Sequence, residues 1–320
     1  MRLLLIGCTG LVGRALVPML QAAGHDLTIV SRSSASAGRF PGSRAGLSWV
    51  HCNPADPTSW EPSSPLQQAL AQAQGVVNLA GEPIAEKRWT EAHLQLLEDS
   101  RLQTTHQLVK AMADLPEPPQ VLINASAVGY YGTSADQTFD ESSPCGNDLL
   151  AGLCQRWEAA ASKKPETTRL VVLRIGIVLA ADGGALGKML PIFRMGFGGP
   201  IGTGRQWMSW IERDDLCRMI LAGVENEAWS GVVNAVSPSP ATMASFSEAL
   251  GRCLGRPSLL PVPGPLLKVL LGDGAKVVLE GQRVQSTRQA DLGFSCLCSE
   301  LRAAFDVATS STIRSGERLP

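Results

Sequence analysis

The segment Gly7-Cys8-Thr9-Gly10-Leu11-Val12-Gly13 sets a glycine at every third position, directly after the apolar run that starts the chain. Leu3–Gly7 reads as a short strand. Leu11–Ala23 reads as a helix, with Leu11, Leu16, Met19 and Leu20 at helical spacing and Gly24 as its stop. Between a strand and a helix each glycine has its own task. Gly7 permits a tight turn, Gly10 lets a diphosphate approach the backbone, and Gly13 lets the helix close onto the strand. The turn from Gly7 through Thr9, Gly10, Leu11 and Val12 to Gly13 then offers free amides and the positive end of the helix dipole to phosphates. The plain alternative is a tight strand–helix turn with no ligand.

The next strand, Leu27–Val30, runs into Ser31-Arg32. An NAD site commonly places a carboxylate here to accept from the ribose 2′-hydroxyl, and this chain has none. Ser31 can donate a hydrogen bond, and Arg32 can pair with a 2′-phosphate and stack on adenine. The cofactor expected is therefore NADP rather than NAD. The competing reading of Arg32 is a solvated surface arginine.

Later segments continue the alternation. Strands are expected at Leu47–Cys52, Val76–Leu79, Val121–Ser126, Leu170–Ile175 and Val232–Val236. Helices are expected at Leu66–Gln74, Glu91–Ala113, Leu149–Ser162 and Ser245–Leu254. This order predicts an α/β chain with a doubly wound parallel sheet of Rossmann type and a small C-terminal lobe. Residues 1–240 form the dinucleotide-binding domain in this reading, with a glycine-rich insert at about 182–212 rimming the substrate. Four prolines within Pro257–Pro265 lead into a C-terminal domain over 257–306, mostly helical from 266, and residues 307–320 fray. In the insert, Arg205, Trp207 and Trp210 could grip a planar or phosphorylated ligand, or the tryptophans could simply pack.

Composition narrows the partners. At 320 residues with 18% charged side chains and a net charge of −1, nothing draws the chain toward nucleic acid or an anionic membrane. The opening apolar run is too short for a signal peptide, and no run reaches the roughly 20 residues of a membrane span. Eight cysteines form no CxxC pair and four histidines no HExxH, so reduced thiols, no metal and a cytoplasmic location are expected.

Longer strings carry a resemblance. Asn78-Leu79-Ala80-Gly81-Glu82-Pro83-Ile84, Arg88-Trp89 and Ser100-Arg101 resemble the atypical "epimerase family" of the extended short-chain dehydrogenase/reductase superfamily. So do Arg156-Trp157-Glu158-Ala159-Ala160, Arg174-Ile175-Gly176-Ile177-Val178-Leu179 and Gly183-Gly184-Ala185-Leu186. Gly198-Gly199-Pro200-Ile201-Gly202-Thr203-Gly204, Trp210-Ile211, Asp214-Asp215-Leu216 and Leu279-Glu280-Gly281-Gln282-Arg283-Val284 extend it to roughly residue 306. The resemblance implies that Leu79, Ala80 and Gly81 pass beside the cofactor riboses, that Arg101 reaches the cofactor from its helix, and that Val178 touches the nicotinamide end. Leu79 and Val178 could instead be core, and Arg101 could pair with Glu98 on the helix surface. The resemblance also implies a small-molecule substrate and a homodimer formed through Glu91–Ala113 and Leu149–Ser162.

The superfamily's usual acid/base machinery is a Tyr-x-x-x-Lys pair with a serine. The only tyrosines are Tyr130 and Tyr131, and neither is followed by a lysine four residues on. Counting back from Glu158, the expected Tyr and Lys places hold Leu150 and Cys154. Ser126 stands at or beside the serine's place, and Tyr130 or Tyr131 could donate a proton from another direction or merely wall the pocket. Two functions follow: an NADP-dependent oxidoreductase or epimerase on a small carbonyl or sugar-nucleotide substrate, or a catalytically weak NADP-binding regulator, which related members tie to cell or plastid division.

Overall fold

The computed structural model describes residues 1–33 and 46–316. Seven parallel strands form the central sheet: β1 (Arg2–Ile6), β2 (Asp26–Ser31), β3 (Leu47–His51), β4 (Gly75–Asn78), β5 (Val121–Ala127), β6 (Arg169–Ile175) and β7 (Gly231–Ala235). Their order is β7-β6-β5-β4-β1-β2-β3. The direction of winding reverses at β1, which pairs with both β2 and β4. Beyond the carboxyl ends of the strands at such a reversal, neighbouring loops part and leave a crevice.

Helices cover both faces, which is why the strands are apolar on both sides. On one face α1 (Gly13–Ala22) packs beside the later helix Arg213–Glu225, around Leu5, Leu16, Val77, Ile123, Leu216 and Ile220. On the other, α2 (Pro65–Gln72) and α3 (Glu91–Ala113) cover Leu4, Ile6, Val76, Leu108 and Leu122. Next to α3 lies α4 (Leu149–Ala161), joined to it by a two-pronged pair between Arg156 and Glu98 at 2.6 and 3.0 Å. The sequence placed these strands and helices within two residues of their bounds.

The second half departs from the sequence reading. Inside the glycine-rich insert lies a helix, α5 (Gly184–Arg194), with Pro191 within it. α5 packs with α7 (Met243–Leu254) and the C-terminal helix Leu301–Gly316 around Leu186, Phe193, Trp210, Phe246 and Phe305; the helix Arg213–Glu225 is α6. The C-terminal helix is assigned through Gly316. Residues 317–320 lie outside the described ones. Among the described residues no helix is long and apolar enough to cross a membrane.

One buried knot ties the C-terminal segment to α6. Glu212 caps this helix, its Oε2 accepting from the amides of Asp214 (2.6 Å) and Asp215 (3.2 Å). Asp215 in turn accepts from the amides of Leu297 and Cys298, both at 2.9 Å. Burial, reinforced by the neighbouring Asp214 carboxylate, pushes the Glu212 pKa up to about 7 against the two amide bonds that favour its charge. A carboxyl whose pKa is higher in the folded chain stabilises the fold most below its unfolded value, and that contribution fades as pH rises through 7. Urea unfolding should therefore show a loss of about 3 kcal/mol at most between pH 4.5 and 8. Glu212→Gln, which keeps a capping oxygen but cannot ionise, should flatten that slope; an unchanged slope would assign the pH dependence elsewhere.

Candidate functional site

The glycine turn sits at the reversal point, and its three glycines are needed for three different reasons. Gly7 has φ +77°, and a Cβ there would lie 2.4 Å from the backbone of Leu79 and Ala80. A Cβ on Gly13 would lie 1.8 Å from the Cys8 carbonyl oxygen. Around a Cβ built on Gly10 there is nothing within 4 Å among the described residues. Gly7 and Gly13 are thus required by packing alone, while the space over Gly10 is left open for something outside the chain. α1 has no side-chain cap at Val12 and no acid in its first turn, so no group of its own competes for the helix end. These features fit the diphosphate of a dinucleotide. Leu11 packs under Gly183 and Gly184, within about 3 Å of where their Cβ atoms would be. Arg14 and Arg213 both bind the Asp182 carboxylate, at 3.1 and 2.6 Å, pinning that loop beside the turn. Val178 is in a short strand, Ile177–Leu179, paired with Trp210–Glu212; it packs against the core and does not line the cavity described below.

At the end of β2, the buried Ser31 hydroxyl accepts from the amide of Ser33 and donates to its carbonyl. Ser31 therefore shapes the turn that presents Arg32. The Arg32 side chain is 66% exposed, 4.0 Å from the Glu82 carboxylate, which also receives Lys87 at 3.3 Å. Glu82 is occupied with these cations and makes no bond to either tyrosine among the described residues.

The Asn78–Gly81 turn is fixed from beneath. The fully buried Asn78 donates to Thr105 Oγ1 and Asn124 Oδ1, and its Oδ1 accepts from the Ala80 amide. Arg101 reaches up from α3, donates to the carbonyls of Leu97 and Glu82, and lies 5.3 Å from the centre of the Trp157 ring. A side chain on Gly81 would meet its guanidinium at 2.9 Å. The surface pair between Arg101 and Glu98 does not form, because Glu98 is taken by Arg156. Burial lowers the Arg101 pKa.

Below the turn runs a chain of buried polar groups. Ser126 Oγ donates to Glu158 Oε1 at 2.6 Å. Glu158 holds Arg174 through two bonds of 2.9 and 2.8 Å. Arg174 donates to the Tyr131 hydroxyl at 3.0 Å, and that hydroxyl donates to Asn234 Oδ1 at 2.7 Å. The guanidinium also lies 3.3 Å from the centre of the Tyr130 ring. Burial works against the Arg174 charge, yet the Glu158 bonds more than offset it and raise the pKa above that of a free arginine. Burial raises the Tyr131 pKa, with Arg174 acting in opposition. The cation the tyrosine motif lacks in sequence is thus supplied from β6, where Arg174 is in register with Ser126.

The crevice opens into a cavity of about 710 Å³. Leu79, Ala80, Gly81, Arg101 and Ser126 line it, as do Leu150 and Cys154 at the places of the usual tyrosine and lysine. Tyr130 and Tyr131 are not among its lining residues, although Gly129 and Gly132 on either side of them are. Burial pushes the Cys154 thiol up to about 12, so it stays neutral near pH 7 and supplies neither charge nor nucleophile. From the expected rim, Trp207 lines the cavity but Arg205 does not. Trp210 is fully buried between α5, α7 and the C-terminal helix, its Nε1 donating to the Ser239 carbonyl, so it packs rather than grips a ligand. Sequence reasoning missed Arg174, Asn234 and the cavity wall at Asp273–Gln282, because each reaches the site from distant sequence. Glu212, Asp215 and Cys298 also cluster, but their bonds cap α6 and hold the 297–298 backbone.

The comparisons with known proteins agree with this geometry. Residues 3–235 match the model of the NAD dependent epimerase/dehydratase family, and residues 262–307 match a domain of unknown function, DUF1731. The epimerase family protein SDR39U1 homolog, chloroplastic, of Arabidopsis thaliana is 41% identical over 296 residues, covering 90% of this chain and 81% of that protein. Epimerase family protein SDR39U1 of Mus musculus is 40% identical over 308 residues, covering 95% and 98%. The crystal structure of human SDR39U1 (isoform 2) with NADPH superposes with a TM-score of 0.83 at 37% identity, covering 97% of this chain and 99% of that one. MoeE5 in complex with UDP-glucose and NAD shares the fold, with a TM-score of 0.76 at 17% identity. With an uncapped glycine turn at the sheet's reversal and a family match along most of its length, this chain belongs to the NAD dependent epimerase/dehydratase family, in its "epimerase family" branch with the DUF1731 C-terminal segment.

Proposed function

We propose that this protein binds NADPH across the carboxyl ends of β1, β2 and β4 and acts as an oxidoreductase on a small carbonyl compound held in the adjoining cavity. The observation that carries the reading is the open space over Gly10 at an uncapped helix start, with Arg32 where an NAD site has a carboxylate. The human SDR39U1 structure with NADPH, at 37% identity over 97% of this chain, supports it. Thr9, Leu11, Val12 and Gly13 would offer the diphosphate the amide end of α1, Arg32 would meet the 2′-phosphate, and Leu79 to Gly81 with Val178 would flank the ribose and nicotinamide. When bound, the cofactor supplies a hydride. Ser126 lines the cavity with its hydroxyl held by Glu158, and it would orient a substrate oxygen by turning its proton from that carboxylate.

Arg32→Ala should weaken NADPH about 10- to 100-fold, the value of a charged hydrogen-bonded pair, and leave NADH nearly unchanged. Equal losses for both nucleotides would remove Arg32 from the 2′-phosphate.

A second reading is favoured by one specific feature. Leu150 and Cys154 cannot move a proton or lower a neighbour's pKa, which suits a cofactor-binding regulator with little or no turnover. Incubating the protein with NADPH and a panel of aldehydes, ketones and nucleotide sugars separates the two. Turnover that falls at least about 100-fold in Ser126→Ala supports the enzyme; tight NADPH binding with no oxidation on any substrate supports the regulator.

A further inference from the structure

The chemistry of the cavity wall narrows what can enter it. Its sides are built from Leu150 and Leu153 on α4, Ile177 after β6, Met189 on α5, Met208, and Met243 at the start of α7. Branched and thioether side chains of this kind offer dispersion contacts and adaptable packing, but no hydrogen bonds. Among the described residues, the charged groups at the wall are Arg101 and Lys276 against Asp148, Asp273 and Glu280. Arg101 already spends donors on the carbonyls of Leu97 and Glu82. Asp148 caps α4 by accepting from the Ala151 amide, and Glu280 accepts from Thr133. The carboxylates thus outnumber the cations in a largely apolar enclosure.

A nucleoside diphosphate sugar brings two negative charges that must be stripped of water on entry. Without a cluster of arginines or lysines to receive them, that transfer costs several kcal/mol. An uncharged hydrocarbon skeleton faces no such penalty and gains roughly 25 cal/mol for each Å² of apolar surface it buries. We infer that the cavity takes an uncharged, apolar carbonyl compound, with its oxygen beside Ser126 and its hydrocarbon body among the leucines and methionines, and excludes sugar nucleotides. The inference rests on the cofactor reading above only for the identity of the reacting group; the preference for apolar ligands belongs to the wall itself.

Isothermal titration of the full chain, with and without saturating NADPH, tests it. The ligands are decan-2-one, 4-tert-butylcyclohexanone and UDP-glucose. The two ketones should bind at least about ten times more tightly than UDP-glucose, with a negative heat-capacity change. Leu150→Asp on one wall and Met189→Lys on another should each weaken the ketones at least about tenfold. Their thermal unfolding midpoints show which variant remains folded, and either one suffices. UDP-glucose binding as tightly as the ketones overturns the inference, and so does ketone binding indifferent to the folded variant. Absence of NADPH binding in the same series would overturn the cofactor reading instead, while the ketone titrations of the free protein still decide the ligand class.

Discussion

Gly10→Ala should leave the thermal midpoint within about 2 °C of the parent and weaken NADPH binding at least about 30-fold. A Cβ at that position meets no atom of the described residues within 4 Å, and the residue is not in the left-handed region, so the described fold offers no resistance to it. The methyl would instead stand where a diphosphate must approach the amides at the start of α1. Gly13→Ala makes the contrast. Its Cβ would collide with the Cys8 carbonyl at 1.8 Å, so the turn and helix must separate, with an expected stability loss of about 3 kcal/mol or more. Differential scanning calorimetry and nucleotide titration on both variants give the comparison. If Gly10→Ala binds NADPH as the parent does, the diphosphate lies elsewhere.

Glu158→Ala should lower the unfolding free energy by about 3–5 kcal/mol, because it leaves the Arg174 guanidinium buried without its counter-charge. The Arg174 side chain is only 5% exposed, and its remaining polar partner is the Tyr131 hydroxyl. Removing both charges together, as Glu158→Leu with Arg174→Met, should recover most of that loss, since a buried ion pair and an apolar pair of similar size differ little in net stability. Urea unfolding of the single and double variants reads this directly. The double variant should nonetheless lose whatever positioning Glu158 gives Ser126, so any turnover should fall while stability returns. Equal instability of single and double variants would mean that packing, not the unpaired charge, dominates at this position.

The two halves of the chain differ in how far their sequence discloses them. The glycine turn, the strands to β6 and the long α3 depend on local pattern: a three-residue glycine repeat, apolar runs of strand length, and a long uninterrupted helical stretch. Such signals survive folding because the parallel sheet buries both faces of every strand. α5 was hidden because glycine and proline, which usually break helices, stand at its start and near its end. Trp210 looked like a rim residue by its neighbours in sequence, yet pairing of Trp210–Glu212 with Ile177–Leu179 draws it into the core. The Ser126–Glu158–Arg174–Tyr131–Asn234 chain could not be read from spacing. Its members come from β5, α4, β6, the turn after β5 and β7, and only the register of the sheet brings them together. The absence of Tyr-x-x-x-Lys, by contrast, was plain in sequence, and the structure adds that Leu150 and Cys154 are part of the cavity wall.

The central claim is a phosphorylated dinucleotide seated on the free amides of α1 with its extra phosphate at Arg32. Titrating the purified full chain into NADPH and, separately, NADH, followed by calorimetry, tests it without knowledge of any substrate. The account predicts one site per chain and binding of NADPH at least about tenfold tighter than NADH. Heat from neither nucleotide, or tighter binding of NADH, would contradict it.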